Sequence, residues 1–205
     1  KKMELYMVRH GQTDFNKNKR LQGVIDIPLN EYGIELAEKT AEGLKDVPFD
    51  VIYSSPLSRA FQTAEIIRGD RPVEIIPTDS LLELSFGEYE GLICKGEHYN
   101  LPDPDFMKFF DNMEEYHVPP KGETIEHLVK RTSSFVLGLM NDPANADKTI
   151  LLSSHGAAIR GLLTGIWPYA NGGTWSGMVH KNCGVTCLHV ENGRFDLVFE
   201  NRIYY

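Results

Sequence analysis

Cysteine is scarce in this chain: three residues in 205, an odd number, so no disulfide framework holds it together. Cys183 and Cys187 are four apart, a spacing that on one strand puts them on the same face but too far apart to bridge easily. Together with Cys94 they read as reduced, half-buried residues of a cytoplasmic protein. Long apolar runs are missing as well. None approaches membrane-spanning length and no signal-peptide pattern precedes the first strand, so no membrane partner is expected. The chain starts at lysine, as a processed or trimmed N-terminus would. Positive charge is in deficit, with 21 Lys and Arg against 29 Asp and Glu and a net charge of −8. Such a balance argues against a broad phosphate-backbone footprint, so nucleic acid is not an expected partner. Seven histidines are present, but no HExxH, HxH or CxxC spacing, and neither a metal site nor a cofactor is expected.

What is present alternates between strand-like and helix-like stretches. Glu4–Val8, Asp50–Tyr53, Val73–Ile76 and Thr149–Leu152 read as short apolar strands. Helices are predicted over Glu31–Lys45 with Asn30 as cap, Pro56–Ile67, Glu123–Asn141 and Ala157–Ile166. Gly184–Val190 and Arg194–Ile203 are strands split by Asn192-Gly193, a strong two-residue hairpin signal. This order predicts one α/β domain over 1–205, a three-layer αβα sandwich. Its sheet is mostly parallel with one antiparallel edge hairpin. The stretch 92–122, with four prolines, Phe106, Phe109, Phe110, Tyr116 and several acids, is predicted to be a cap insertion with one short helix.

In such sheets ligands sit beyond the carboxyl ends of the strands. Three segments fall on that rim: Arg9-His10-Gly11, Ser54-Ser55-Pro56-Leu57-Ser58-Arg59 and Ser153-Ser154-His155-Gly156. The imidazole of a histidine can attack phosphorus, a guanidinium can hold phosphate oxygens in a fork, and glycine lets backbone approach an anion. Convergence of the three segments is the signal, since each alone has an ordinary structural explanation. Arg59 could be a surface cation, Glu83 a capping carboxylate, and His155 a loop hydrogen-bonder. Arg160 reads as structural. Ser54, Ser55 and Ser58 lack a triad partner pattern. His98, His117, His127, His180 and His189 read as non-catalytic.

Arg9-His10-Gly11-Gln12-Thr13, the run Ser54 to Ala64, the run Leu82 to Gly91 and Ser154-His155-Gly156 together resemble the histidine phosphatase superfamily. That group includes cofactor-dependent phosphoglycerate mutases, fructose-2,6-bisphosphatase domains and broad-specificity phosphatases. The matches run in order from residue 3 to about 190. The resemblance implies a phosphoglycerate mutase-like fold. It makes His10 a nucleophile that becomes phosphohistidine, and Glu83 the proton donor to the leaving oxygen. Arg9, Arg59 and His155 become the groups that bind the phosphoryl group, and Asn16, Gln22 and Gly23 fall at positions used around the bound phosphate and substrate. The expected roles agree with the physics, because phosphoryl transfer is mostly positioning and charge stabilisation.

Three activities compete. One is a metal-independent phosphomonoesterase acting on small phosphorylated metabolites. The others are a phosphoglycerate mutase-type phosphoryl transfer and a non-catalytic member that binds phospho-ligands. Mutases of the group carry a longer insertion with adjacent arginines, whereas 92–122 is short and acidic, so hydrolysis is preferred and bisphosphates are expected to be repelled. Lys17-Asn18-Lys19-Arg20 is the counter-signal, a basic stretch able to receive a second anionic group. The aromatic content of 92–122 favours a leaving group with some apolar surface. Substrate identity and oligomeric state are left open at this level.

Overall fold

The computed structural model describes residues 2–167 and 175–205. Its strands are β1 (Met3–Arg9), β2 (Val51–Ser54), β3 (Ile75–Pro77), β4 (Thr149–Ser154), β5 (Val185–Glu191) and β6 (Arg194–Arg202). They form one sheet in the order β3-β2-β4-β1-β5-β6. The four strands from β3 to β1 pair in parallel, and β5 pairs antiparallel with both β1 and β6. Only β5 therefore runs against the rest; β6 returns to the common direction through the Asn192-Gly193 turn, where both residues have positive φ.

Helices cover both faces because alternate strand residues are apolar on both sides. Met3, Leu5, Met7, Ile150, Leu152 and Leu188 pack against α4 (Ile125–Asn141) and α5 (Gly156–Ile166). Tyr6, Val8, Ile52, Leu151 and Cys187 face the opposite way. There they meet the C-terminal cap of α2 (Glu31–Gly43) at Leu44, and Ala64 and Ile67 of α3 (Ser58–Arg68). A further short helix, α1 (Asp14–Lys17), follows β1 directly. Asn30 caps α2 by accepting from the Gly33 amide at 2.8 Å, as its sequence position predicted. The helix expected from Pro56 starts at Ser58, and no side chain of its own caps it. Asp26 supplies the missing acceptor, taking the Ser58 amide at 2.8 Å and the Ser58 hydroxyl.

Two sequence expectations change. The 92–122 stretch holds two 3₁₀ turns, 106–110 and 113–115, and no α-helix. Phe106 and Phe109 are fully buried, packed on Phe86 and Tyr116. Cys183 is not on a strand with Cys187. It lies in a left-handed turn (φ 56°) before β5, and its amide donates to the carbonyls of Arg9 and His10 at 2.9 and 3.2 Å. The two thiols consequently sit in different apolar clusters, and both are buried rather than half-buried.

Candidate active site

The carboxyl ends of β1, β2 and β4 bring the three predicted segments together. His10 follows β1, and its amide donates to the Ser154 carbonyl at 3.0 Å, locking the two loops edge to edge. Close backbone approach is needed here: a Cβ on Gly11 would stand 2.6 Å from the Gly33 carbonyl oxygen. The His10 and His155 rings lie 5.1 Å apart, centroid to centroid.

His10 is 2% exposed, and its Nδ1 lies 2.7 Å from the Gly11 carbonyl oxygen. A carbonyl only accepts, so Nδ1 carries the proton and Nε2 keeps its lone pair. Burial, followed by the charges of Arg59 and Arg9, pushes the His10 pKa well below its usual value. His155 is fully buried and is also held neutral, by burial first and then by Arg59. Its Nε2 lies 2.8 Å from the Ser55 hydroxyl, while its buried Nδ1 has no partner.

Arg9 and Arg59 are anchored through their outer nitrogens and leave Nε buried and unpartnered. Arg9 Nη1 donates to the His180 carbonyl at 2.5 Å. Arg59 is fully buried and donates to the Gly23 and Ile25 carbonyls at 2.5 and 2.7 Å. Burial lowers its pKa to about 10, against the opposing charge of Glu83. Two guanidiniums with orphaned buried donors and two neutral imidazoles leave this pocket rich in unmet hydrogen-bond demand, the condition an oxyanion satisfies.

Glu83 is 7% exposed and does two jobs. Helix α5 begins without a side-chain cap of its own. The Glu83 carboxylate takes that place, accepting from Ala158 at 2.9 Å through Oε1 and from Ala157 at 3.2 Å through Oε2. The capping explanation of this residue is thus realised. Burial nevertheless raises its pKa, outweighing those amides and the nearby arginines, and Oε2 with its single 3.2 Å bond is the oxygen left to carry a proton.

Next to this cluster lies a cavity of about 660 Å³ lined by Arg9, Glu83 and Gly156 together with residues of the 92–122 stretch. Asn16, Gln22 and Asn182 are on its wall. Asn16 closes a capping box with Thr13, and Gln22 accepts from the Thr13 hydroxyl at 2.8 Å. Gly23 is not on the lining; it serves through its carbonyl to Arg59. Asn182 was missed in the sequence. Its side chain donates to the His10 carbonyl at 3.2 Å and to Asn16 at 3.3 Å, and nothing in the local pattern marks it. Ser55 was also missed, although its place on the strand rim was the available clue. Arg160 donates to the Phe110 and Gly177 carbonyls, a structural tie as expected.

The acidic reading of 92–122 does not carry over to the cavity. Residues of that stretch on the wall are Cys94, Lys95, Met107 and Phe110. Lys19 and Arg20 line it beside them, the Cys94 amide donating to the Lys19 carbonyl at 2.9 Å and Arg20 bridging to Ile93. Asp105 pairs with Lys108 and Asp103 with His117, and no acid of the stretch is on the lining. Among the described residues Glu83 is the one carboxylate on this wall, so the cavity is basic and apolar rather than repulsive to anions.

The chain has relatives among known proteins. A family model described as histidine phosphatase superfamily, branch 1, matches residues 5–202. An uncharacterized phosphatase PhoE of Bacillus subtilis is 36% identical over 160 residues, covering 78% of this chain and 75% of that protein. Among solved structures, Bacillus stearothermophilus YhfR superposes with a TM-score of 0.85 at 29% identity, covering 98% of this chain and 97% of the other. A phosphoserine phosphatase from Entamoeba histolytica, solved in complex with 3-phosphoglyceric acid, has a TM-score of 0.75 at 30% identity, covering 97% and 96%.

Proposed function

Since the chain belongs to branch 1 of the histidine phosphatase superfamily, we propose that it is a phosphomonoesterase working through a phosphohistidine on His10. The observation that supports this most is the 2.7 Å contact between His10 Nδ1 and the Gly11 carbonyl, which leaves Nε2 as a neutral, unprotonated nucleophile among cationic groups. In the first step Nε2 attacks phosphorus, the ester P–O bond breaks, and Glu83 Oε2 gives its proton to the departing oxygen. In the second, water attacks the phosphohistidine, its proton passes to Glu83, and inorganic phosphate and free His10 are released. Arg9, Arg59 and the His155 Nδ1–H stabilise the equatorial oxygens in both steps. No metal has a role in this sequence.

The substrate class we infer is a small metabolite whose leaving group carries a further anionic group and some apolar surface. Lys19, Arg20 and Lys95 would meet the anion, and Phe86, Met107 and Phe110 the apolar part. The carboxylate of 3-phosphoglyceric acid, bound by the Entamoeba relative, is of that chemistry. The same basic wall is what a mutase would use to hold a second phosphate, so incubation with 3-phosphoglycerate and a trace of its 2,3-bisphosphate separates the two. Fast conversion to the 2-isomer would replace hydrolysis by phosphoryl return. Three buried, unpaired thiols support a reducing compartment, the cytoplasm. The mechanism is tested by brief exposure to an aryl phosphate followed by peptide mapping: an acid-labile phosphoryl group on His10 is expected. Turnover retained in His10→Ala, or activity abolished by EDTA, would overturn it.

A further inference from the structure

We propose that Arg131, clamped by Glu123, is a positioning residue for the general acid, resting on the assignment of that role to Glu83. Arg131 stands on α4 and does not touch the nucleophile or the arginine cluster. Its guanidinium instead grips the loop that carries Glu83. Nη1 donates to the Ser80 carbonyl at 3.0 Å and Nη2 to the Glu83 carbonyl at 3.0 Å. Glu123 holds the same guanidinium from the other side in a two-point fork, Nε to Oε2 at 2.7 Å and Nη2 to Oε1 at 2.9 Å. Glu123 also reaches the loop itself: its amide donates to the Ser85 carbonyl at 2.8 Å, and Oε1 accepts from the Ser85 amide at 3.3 Å. Three backbone positions around residue 83 are therefore tied to one ion pair.

Planarity of the peptide bond transmits this grip to the carboxylate. In a trans peptide the C=O of Glu83 and the N–H of Leu84 point in opposite directions in one plane. Arg131 fixes the direction of that C=O, and so fixes the N–H on the far side. That N–H is the one that donates to Glu83 Oε1 at 2.8 Å. The carboxyl is thus folded back onto a peptide unit whose orientation Arg131 sets, while Ala157 and Ala158 hold it from the helix end. Loss of the fork frees the peptide to rotate, and the protonated oxygen loses its aim at the leaving group. Glu123 offsets most of the Arg131 charge, which reaches His155 only as the smallest of the causes that lower its pKa. Burial pushes the Glu123 carboxyl up, but the hydrogen bonds from Arg131 and His127 outweigh it and hold the carboxyl low, so the fork persists as an ion pair.

A misaimed acid has a signature that a general loosening lacks. Protonation of the leaving oxygen matters for a poor leaving group and little for a good one. The experiment compares kcat/KM for phenyl phosphate and p-nitrophenyl phosphate, two esters of similar shape, in wild type, Glu83→Gln, Arg131→Lys, Arg131→Met and Glu123→Gln. Arg131→Lys keeps the charge but cannot bridge Glu123 and two carbonyls. Expected is a loss of about tenfold or more on phenyl phosphate with less than about threefold on p-nitrophenyl phosphate, the pattern Glu83→Gln should also show. Equal losses on both esters in folded variants, or no loss, would overturn the positioning role. Should Arg131→Met not fold, Arg131→Lys and Glu123→Gln carry the same comparison. A Glu83→Gln enzyme without leaving-group dependence would instead remove the acid role of Glu83, and this inference with it.

Discussion

His155 Nε2 and the Ser55 hydroxyl oxygen lie 2.8 Å apart, both fully buried, while Nδ1 of the same ring has no partner. The Ser55 oxygen already accepts from the Leu57 amide at 3.3 Å, so its hydrogen is available to Nε2. With a neutral ring, that bond places the imidazole proton on Nδ1 and makes it a donor for a phosphoryl oxygen.

Removing the hydroxyl should scramble that tautomer without emptying a large volume. Ser55→Ala is expected to lower kcat by about tenfold to a hundredfold, less than the roughly hundredfold to thousandfold cost of an oxyanion donor because the ring itself stays, with a smaller change in KM. Steady-state kinetics on an aryl phosphate check it, and unchanged kcat in the variant would remove Ser55 from the site.

Gly23 has no room for a side chain. A Cβ there would stand 2.6 Å from Glu90 Oε2 and 2.7 Å from the Leu84 carbonyl oxygen. Because the Gly23 carbonyl anchors Arg59, Gly23→Ala should both destabilise the fold, by about 1–3 kcal/mol, and weaken phosphate binding. Denaturant melts together with inhibition by inorganic phosphate measure the two effects. A variant of wild-type stability would show that the loop yields freely.

Lys19 and Lys95 are exposed residues on the cavity wall, outside the Arg9–Arg59 cluster around His10, where the proposed leaving group would lie. Lys19→Ala with Lys95→Ala should raise KM for a carboxylate-bearing ester such as phosphoserine by about fivefold to tenfold, and leave p-nitrophenyl phosphate nearly unchanged. Added salt should shrink the difference. A parallel rise for both substrates would mean that the lysines act on the phosphoryl group instead.

Stability should fall as the solution is acidified below about pH 6.5. His10 and His155 are held well below their usual pKa by burial, and His180 is lowered to about 4 for the same reason. Between the folded and unfolded pKa values the unfolded chain binds more protons, so each histidine makes stability rise with pH, by up to about 1.4 kcal/mol per unit. Glu83, whose pKa is raised, acts in the opposite sense: the folded state binds its proton more tightly, and stability declines as pH climbs through that range. Glu200 is raised by burial in the same way, and three histidines outweigh these two carboxyls, so Tm should increase from pH 5 to pH 7. A flat or falling Tm over that range would contradict the neutral, buried state of these rings.

Much of this site could be read along the chain because it is built from strand ends. Strand β1 delivers Arg9 and His10, β2 leads to Ser55 and Arg59, and β4 to His155, so apolar runs followed by polar residues marked the rim. Helix α2 was equally plain, since Asn30 and the apolar stripe are local signals. Asn182 and the Arg131–Glu123 pair were not readable in this way. Asn182 acts on His10 across 172 positions, and Arg131 on Glu83 across 48, through backbone carbonyls that leave no trace in residue type.

Residue order alone specified the alternation of strands and helices, the hairpin at Asn192-Gly193 and the set of groups able to handle a phosphoryl group, because periodicity, capping and side-chain chemistry are local properties. Tertiary packing settled the charge of the pocket wall. Composition made 92–122 acidic, yet the fold turns Lys95, Met107 and Phe110 to the cavity and pairs Lys19 and Arg20 with the start of the same stretch. The direction a side chain faces in an irregular segment depends on what packs behind it, here the buried Phe86, Phe106 and Phe109 cluster, and no count of charges along the chain carries that information.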